Sequence, residues 1–204
     1  MKREHTIQGG LPSEYRQLEY IQSTGTQCII TNLSLAGHNN NVRWDIDFQF
    51  SVSESGMIID CSGLTDNYVY VCIYGNAPNR YSMNTYRTAA GERYITIDSI
   101  TNRHVYSIDF STAKAYCDGN HTADLLLDSS LNVLTAPIAI FARVWFGNQQ
   151  HKSKGKLRTS KITIEGVEHY LIPALRISDS KPGLFDNVDN VFYTNAGTEE
   201  FQYA

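Results

Sequence analysis

The chain has 204 residues, of which 17 are lysine or arginine and 21 are aspartate or glutamate, so its formal net charge at pH 7 is −4. This balance excludes the positive surface of a nucleic-acid-binding protein and a polybasic membrane-binding patch. No apolar run approaches about 18 residues, so no segment is predicted to span a bilayer. A chain of this length can bury a sizeable core without a disulfide or a metal.

Residues 11–204 are predicted to form a single domain, because no linker, repeat or low-complexity segment divides them. Residues 1–10 are predicted to be a flexible lead-in. Met1 to His5 are rich in charge, but no apolar stretch follows them. No secretion signal is therefore predicted.

Apolar and polar residues alternate through VRWDIDFQF at residues 42–50. This period of two is typical of a half-buried antiparallel strand, because successive side chains point to opposite faces of a sheet. Less regular alternation predicts further strands at residues 68–74, 93–98, 104–110 and 161–173. The segment PIAIFARVWF at residues 137–146 is apolar on both faces apart from Arg143, so it predicts a central strand covered on both sides.

Turn-forming residues separate these predicted strands. Asp118-Gly119 lies between two strand-like runs and predicts a tight hairpin. Strands recur at intervals of about ten residues, and no long amphipathic helix interrupts them. The sequence therefore predicts an all-β fold, either a two-sheet antiparallel β-sandwich or a barrel.

The four cysteines, Cys28, Cys61, Cys72 and Cys117, are far apart in the sequence and form no C-x-x-C pair. Cys28 and Cys72 lie inside strand-like runs, where a free thiol packs as a small apolar group. We expect buried free thiols rather than disulfides or metal ligands.

Motifs at the two ends of the sequence resemble a known family. The opening LPSEYRQLEYIQSTGTQCIITNL and the closing HYLIPALRISDSKPGLFDNVDNVFYTNAGTEEF are similar to those of concanavalin A-like, or laminin G-like, jelly-roll domains. Such domains occur in tail and other virion proteins of phages and in bacterial surface proteins. The resemblance spans residues 11–201 and implies a jelly-roll sandwich. It says little about chemistry, because this family is defined by its fold.

The stretch GLFDNVDNVFYTNAGTEEF at residues 183–201 mixes acidic and amide side chains with apolar ones. If the N-terminal strand lies beside it, the two chain ends close one sandwich. Residues 186–190 then form a hairpin turn, because Asp and Asn tolerate left-handed backbone. The alternative is a weak calcium site that includes Asp186 and Asp189, although no loop has the spacing of an EF-hand. We favour the turn.

Glycoside hydrolases of the same jelly-roll superfamily have a catalytic strand that resembles E-x-D-x-x-E. In WDIDFQF, Asp45 and Asp47 fill the first two acidic positions, and Phe50 fills the third. Retaining hydrolysis needs two carboxyl groups about 5–5.5 Å apart, one of them protonated. The shorter side chain of Asp45 and the missing third acid indicate that the chain is not an enzyme. We expect two solvent-facing carboxylates on a sheet and no catalytic residue.

The chain has 13 tyrosines, more than a sandwich core requires, because a buried tyrosine hydroxyl needs a partner. Exposed rings can cover the apolar face of a sugar while amides and arginines bond its hydroxyls. The candidate carbohydrate- or receptor-binding residues are Tyr68, Tyr70, Tyr74, Asn76, Arg80, Tyr81, Asn84, Tyr86, Arg143 and Trp145. Arg143 must find a carboxylate or a ligand, because an unpaired buried charge is costly. The tyrosines also fit packing on an outer sheet face or the interface of a homo-oligomer.

The leading hypothesis is a non-catalytic carbohydrate-binding or receptor-binding module that adheres to a cell-surface polysaccharide, in a phage virion or on a bacterial surface. An alternative of a different class is a structural virion or assembly protein with a protein–protein interface. A glycoside hydrolase ranks third. No cofactor is expected apart from the calcium candidate. Neither nucleic acid nor membrane insertion is expected.

Overall fold

The structure is a computed structural model that describes residues 10–38, 41–62, 70–75, 80–84, 92–125, 134–145 and 148–204, with the backbone alone at residues 70, 71, 82–84, 92–94 and 145. The lead-in predicted at residues 1–10 lies outside these ranges except for Gly10. Within these ranges, no helix has the length and apolar character needed to cross a membrane.

The described ranges are built from β-strands. In chain order the first ten are β1 (Tyr15–Gln17), β2 (Ile21–Thr24), β3 (Ile29–Ser34), β4 (Val42–Phe50), β5 (Gly56–Ser62), β6 (Tyr70–Gly75), β7 (Arg80–Asn84), β8 (Glu92–Thr96), β9 (His104–Asp109) and β10 (Lys114–Cys117). The strands that follow are β11 (Asn120–Asp124), β12 (Pro137–Ile140), β13 (Arg143–Trp145), β14 (Asn148–Gln150), β15 (Lys154–Ile164), β16 (Val167–Arg176), β17 (Lys181–Asp186), β18 (Val191–Thr194) and β19 (Gln202–Tyr203).

These strands form two main antiparallel sheets and one small hairpin. The larger sheet has the order β11-β10-β9-β4-β15-β16-β17-β18, with β1 paired to β16, β2 paired to β15 and β19 paired to β2. The smaller, six-stranded sheet has the order β3-β12-β5-β6-β7-β8, and β13 pairs with β14. The predicted two-sheet antiparallel β-sandwich is confirmed.

The hydrophobic core lies between the two sheets. In β4, Trp44 and Ile46 are fully buried, while Arg43 on the opposite face is half-buried. Ile59 and Ile73 of the six-stranded sheet belong to the same hydrophobic cluster. Each apolar side chain of this size stabilises the fold by about 1.5–3 kcal/mol when it is fully buried. The alternation in the sequence therefore identifies the face of β4 that packs on the other sheet.

The central strand predicted at residues 137–146 is only partly correct. β12 does lie between β3 and β5, and Ile138 and Ile140 are fully buried. The strand ends at Ile140, and the next residue, Phe141, has a φ of 67°, which is uncommon for a bulky residue. Beyond this residue the chain leaves the sheet, and β13 pairs with β14. The apolar run is therefore two short strands rather than one.

The N- and C-terminal segments lie side by side. β19 pairs with β2 through Gln202 and Gln22. β17 and β18 form the last hairpin, in which Asp186 lies opposite Val191. Residues 187–190 make the turn, and Asn190 has a φ of 54°. Both the predicted closure of the sandwich and the predicted turn are confirmed.

Two further local predictions are also confirmed. Asp118 and Gly119 have φ values of 52° and 79°, which suit the two central residues of a tight hairpin between β10 and β11. All four cysteines are buried and none forms a disulfide, whereas the expectation that none binds a metal stays a prediction. Burial raises the pKa of the Cys28 and Cys61 thiols, as expected for thiols that pack in a core.

Candidate functional site

The candidate site lies on the face of the six-stranded sheet that points away from the core, which we call the outer face. Ile59 of β5 belongs to the core cluster, so the alternation of side chains places Asp60 on the outer face. Asp60 is in register with Ala139 of β12 and Cys72 of β6. The described side chains on this face of β5, β6 and β12 include Met57, Asp60, Ser62, Cys72, Tyr74 and Ala139.

The hairpin of β13 and β14 covers part of the outer face. The chain turns away from β5 at Phe141, whose amide donates a hydrogen bond to the Ile58 carbonyl at 2.9 Å. It returns at His151, whose carbonyl accepts a hydrogen bond from the Met57 amide at 2.8 Å. Between these two anchors β13 packs against β5. The hairpin is therefore tied to the sheet at both ends.

Asp60 is the buried acid beneath this hairpin. Its side chain is 1% exposed and accepts a hydrogen bond from Ser62 Oγ at 2.6 Å. Burial raises the pKa of Asp60 to about 7, and the nearby Ser62 hydroxyl, Arg143 charge and Val144 amide oppose that rise. The charge of Arg143 therefore acts on Asp60, and the prediction that Arg143 needs a carboxylate or a ligand stays a prediction.

Tyr74 and Arg80 share the outer face with Asp60. Tyr74 is half-buried, and its ring lies edge-on to the ring of His151, with 6.1 Å between centroids. Tyr74 is in register with Ser82 of β7. Arg80 lies two residues before Ser82, so its side chain is on the same face of the sheet as Tyr74. Arg80 is exposed and Arg143 is half-buried. Tyr74 and Arg80 thus share one sheet face, and Arg143 lies on the hairpin that packs against β5 of the same sheet.

The side chains of six predicted contact residues are not described. Three of these residues lie outside the described ranges, namely Tyr68, Asn76 and Tyr86. Three others are described by their backbone alone, namely Tyr70, Asn84 and Trp145. Tyr70 is in register with Ser62. The roles of these six residues stay predictions.

Tyr81 was predicted to contact a ligand, and this prediction is wrong. Its side chain is fully buried and belongs to the hydrophobic core. Its ring packs edge-on against Tyr106 of the facing sheet, with 4.8 Å between centroids. Tyr81 is in register with Ile95, another core residue. A ring in this position holds the two sheets together and cannot reach a ligand on the outer face.

Asp45 and Asp47, the acids of the glycosidase-like strand, are each bound to an arginine. Arg43 Nη2 lies 2.7 Å from Asp45 Oδ1, and Arg103 Nε lies 2.9 Å from Asp47 Oδ1. Burial raises the pKa of Asp45, but hydrogen bonds from Arg43 and Ser107 outweigh it and hold that pKa below its usual value. The expectation of freely solvated carboxylates is corrected, since both acids are partly or fully buried in ion pairs.

The last hairpin is organised by a buried carboxylate. Asp186 is fully buried, and its Oδ1 accepts hydrogen bonds from the amides of Val188 at 2.9 Å and Asp189 at 3.4 Å. Its Oδ2 lies 2.9 Å from His169 Nδ1. One carboxylate oxygen is therefore bound by the turn and the other by the neighbouring strand β16.

One ligand atom each from His169, Asp186 and Asp189 lies within 4.8 Å of the others. The calcium site predicted at Asp186 and Asp189 stays a prediction. A group that includes a histidine nitrogen suits calcium poorly, because calcium prefers six to eight oxygen ligands.

Sequence reasoning missed Asp60 and His151. The signal for Asp60 is visible in GMIIDCS, where one acid interrupts an apolar strand and must find a partner once buried. His151 has no comparable signal. Only the path of the hairpin back to β5 brings His151 next to Tyr74.

No family model and no curated protein matches this sequence. Solved structures match its fold. The carbohydrate-binding module CBM40 of the Ruminococcus gnavus IT-sialidase, bound to α2,3-sialyllactose, superposes with a TM-score of 0.56 and 10% sequence identity, over 72% of this chain and 90% of that one. A second structure of the same module gives a TM-score of 0.51, with the same identity and coverage.

The native heptameric SAP-like pentraxin from Limulus polyphemus is similar over more of the chain. Its TM-score is 0.55 at 10% identity, over 93% of this chain and 94% of that one. At this identity the similarities establish the fold alone. The chain has the jelly-roll β-sandwich fold of the concanavalin A-like type, as the end motifs implied.

Proposed function

We propose that this chain is a non-catalytic carbohydrate-binding module that holds a carboxylate-bearing glycan on the outer face of the six-stranded sheet. The observation that carries the proposal is the placement of Tyr74 and Arg80 on that one face, with Arg143 on the hairpin that packs against β5. An aromatic ring and two guanidinium groups supply the two kinds of contact that an acidic sugar requires.

Each group has a physical role in this proposal. The half-buried ring of Tyr74 covers the apolar face of a pyranose, and its edge contact with His151 restricts the motion of the ring. The guanidinium groups bind the sugar carboxylate, because their planar forks match its two oxygens. The edge contact with His151 also lowers the cost of binding, because a positioned group loses less freedom when a ligand binds.

Fold similarity supports the class of module. One of the similar structures is a carbohydrate-binding module bound to α2,3-sialyllactose, a glycan that carries a carboxylate. At 10% identity this similarity assigns no contact residue, so the residue roles proposed for this chain rest on its own geometry.

The non-catalytic part of the proposal rests on the state of the two acids. Asp45 is ion-paired and its pKa is lowered, so it is a poor proton donor at neutral pH. A glycosidase requires a protonated acid beside an ionised one. Asp45 does not meet the first requirement, and Asp47 is held in an ion pair with Arg103.

We also propose a setting on a phage virion or a bacterial surface, where the partner is a cell-surface polysaccharide. The support for this setting is the resemblance of the end motifs to domains of such proteins. The alternative role is a structural virion protein that assembles through the same face. The pentraxin of similar fold is heptameric, which makes the oligomeric state of this chain worth measuring.

A glycan array that includes α2,3-sialyllactose and lactose as a matched pair tests the proposal. Selective binding of the sialylated member is the expected result. Equal binding of both glycans would support a carbohydrate-binding module but contradict the proposed selectivity for a carboxylate. An array with no binding, together with a stable oligomer in light scattering, would favour the structural role.

A further inference from the structure

Three side chains of the types that bind transition metals converge at one end of β9 and β10. They are His104, Cys117 and Asp118, and one ligand atom from each lies within 4.8 Å of the others. His104 and Cys117 are each 7% exposed, whereas the Asp118 side chain is 48% exposed. The cluster therefore has a buried floor and opens to solvent at Asp118.

Asp118 is held in position by the backbone of the neighbouring strand. Its Oδ1 accepts a hydrogen bond from the Val105 amide at 2.8 Å, and its own amide donates to the Val105 carbonyl at 2.9 Å. Its Oδ2 lies 2.7 Å from His104 Nδ1 and 3.8 Å from Cys117 Sγ. One carboxylate oxygen is thus fixed to the strand, and the other points at the two remaining ligands.

His104 is oriented from its opposite side. Its Nε2 lies 3.0 Å from the Ser99 carbonyl and 3.2 Å from Asp98 Oδ1. Histidines that bind metals usually donate their second ring N–H to a carbonyl or a carboxylate, which fixes the tautomer and the ring plane. With Nε2 engaged in this way, Nδ1 is the nitrogen available to a metal.

A buried hydroxyl beside the cluster lacks a hydrogen-bond partner. Tyr106 is fully buried, and its hydroxyl bonds to none of the residues that the structure describes. Its ring lies 5.8 Å from that of His104, and Tyr106 is in register with Cys117. A metal-bound water at this point would satisfy the hydroxyl.

We infer that His104, Cys117 and Asp118 form a binding site for a zinc-type divalent transition-metal ion, with a water molecule as the fourth ligand. A nitrogen, a sulfur and an oxygen are the ligand types that zinc takes, whereas calcium and magnesium prefer oxygen alone. Ligands about 2.0 Å from a tetrahedral ion lie about 3.3 Å apart.

The distances of 2.7 and 3.8 Å around Asp118 Oδ2 bracket this spacing. Small side-chain shifts therefore suffice to admit the ion. The ion replaces the proton shared by His104 and Asp118, and the Cys117 thiol releases its own proton.

Cobalt(II) titration of untagged, reduced protein tests the thiolate ligand. Wild type should develop the near-ultraviolet thiolate-to-cobalt absorption band. Cys117→Ser should lose the band, and Cys28→Ser, which alters another buried cysteine, should keep it. His169→Gln, which disrupts the separate cluster at Asp186, should also keep it. The absence of a band in wild type, or its persistence in Cys117→Ser, would overturn the inference.

Thermal unfolding with and without zinc gives a second readout. At about one hundred times the dissociation constant, zinc should raise the melting temperature by about 5–10 °C. The same concentration of calcium should leave it unchanged. Asp118→Asn should remove the zinc-dependent increase, because the amide can still accept the Val105 hydrogen bond but is a poor metal ligand. An equal zinc-dependent increase in the melting temperature of Asp118→Asn would contradict the proposed metal site. Neither readout depends on glycan binding.

Discussion

Asn195 Oδ1 accepts a hydrogen bond from the Cys28 amide at 3.0 Å, across 167 residues of sequence. The same oxygen accepts a bond from the Gly197 amide at 2.8 Å. One amide side chain near the C-terminus therefore satisfies a backbone group of the segment that leads into β3. The apposition of the two chain ends depends on this kind of contact as well as on the pairing of β19 with β2.

Asn195→Ala should lower the free energy of unfolding by about 1–2 kcal/mol, because it leaves the Cys28 and Gly197 amides without their partner. Urea denaturation measures this loss. Asn41→Ala is the matched control, since its side chain donates a hydrogen bond to Glu165 at an exposed site. The control should change stability by less than about 0.5 kcal/mol. Equal losses in the two variants would mean that Asn195 has no special role in closing the sandwich.

Gly183→Ala should destabilise the last hairpin, because a Cβ at this position would lie 2.2 Å from the Tyr193 carbonyl oxygen. A backbone atom cannot give way as a flexible side chain does, so overpacking of about 1–3 kcal/mol is expected. Gly10→Ala, where a Cβ would meet nothing within 4 Å, is the control. Differential scanning calorimetry compares the two. A Gly183→Ala protein as stable as the control would contradict the close approach of β17 and β18.

Tyr74 and Tyr81 should respond differently to truncation. Tyr81→Ala opens a cavity between the sheets and should cost about 3–5 kcal/mol of stability. Tyr74→Ala removes a half-buried ring and should cost about 1 kcal/mol or less. Chemical denaturation of both variants measures the difference. If the Tyr74 variant lost as much stability as the Tyr81 variant, Tyr74 would be a core residue and not a candidate ligand contact.

Because of Asp60, the free energy of unfolding should fall as the pH rises from about 4 to about 7. Its pKa is raised to about 7 in the folded chain, so the folded state keeps a proton that the unfolded state has already released in this window. A difference of about three units corresponds to about 4 kcal/mol. Asp60→Asn is neutral at every pH, and its stability relative to wild type should therefore rise through the same window.

Ser62→Ala supplies the control for this pH dependence. The Ser62 hydroxyl lowers the pKa of Asp60, so its removal should shift the loss of stability to higher pH. Unfolding at a series of pH values measures all three proteins. If the free energy of unfolding varied with pH in the same way in wild type and Asp60→Asn, the Asp60 carboxyl would not be the cause of the pH dependence.

The alternation of apolar residues predicted the sandwich because it records which face of each strand is buried. Trp44 and Ile46 illustrate this relation, since both lie on the buried face that the pattern indicates. The pattern failed at Phe141, where a left-handed residue breaks an apolar run. Backbone conformation at a single residue leaves no trace in a period-two pattern.

The candidate site was harder to predict than the fold. Tyr74 and Tyr81 lie in adjacent strands, yet one belongs to the outer face and the other to the core. In the sequence, both are tyrosines of one aromatic-rich segment, and nothing in its composition distinguishes an exposed ring from a buried one. The face of the sheet on which each tyrosine lies depends on the register between β6 and β7, which the sequence does not reveal. Asp60 was missed for a related reason, because the hairpin that contacts its strand, β13–β14, lies more than 80 positions further along the chain.

Binding of soluble α2,3-sialyllactose, measured by isothermal titration calorimetry, tests the central claim most directly. Wild type should bind it, and Tyr74→Ala should bind at least about 30-fold more weakly, the loss expected for a contact worth about 2 kcal/mol. Tyr170→Ala, a half-buried tyrosine on the larger sheet, should bind as wild type does. Equal affinity of wild type and Tyr74→Ala, or a loss confined to Tyr170→Ala, would contradict a glycan site on the outer face.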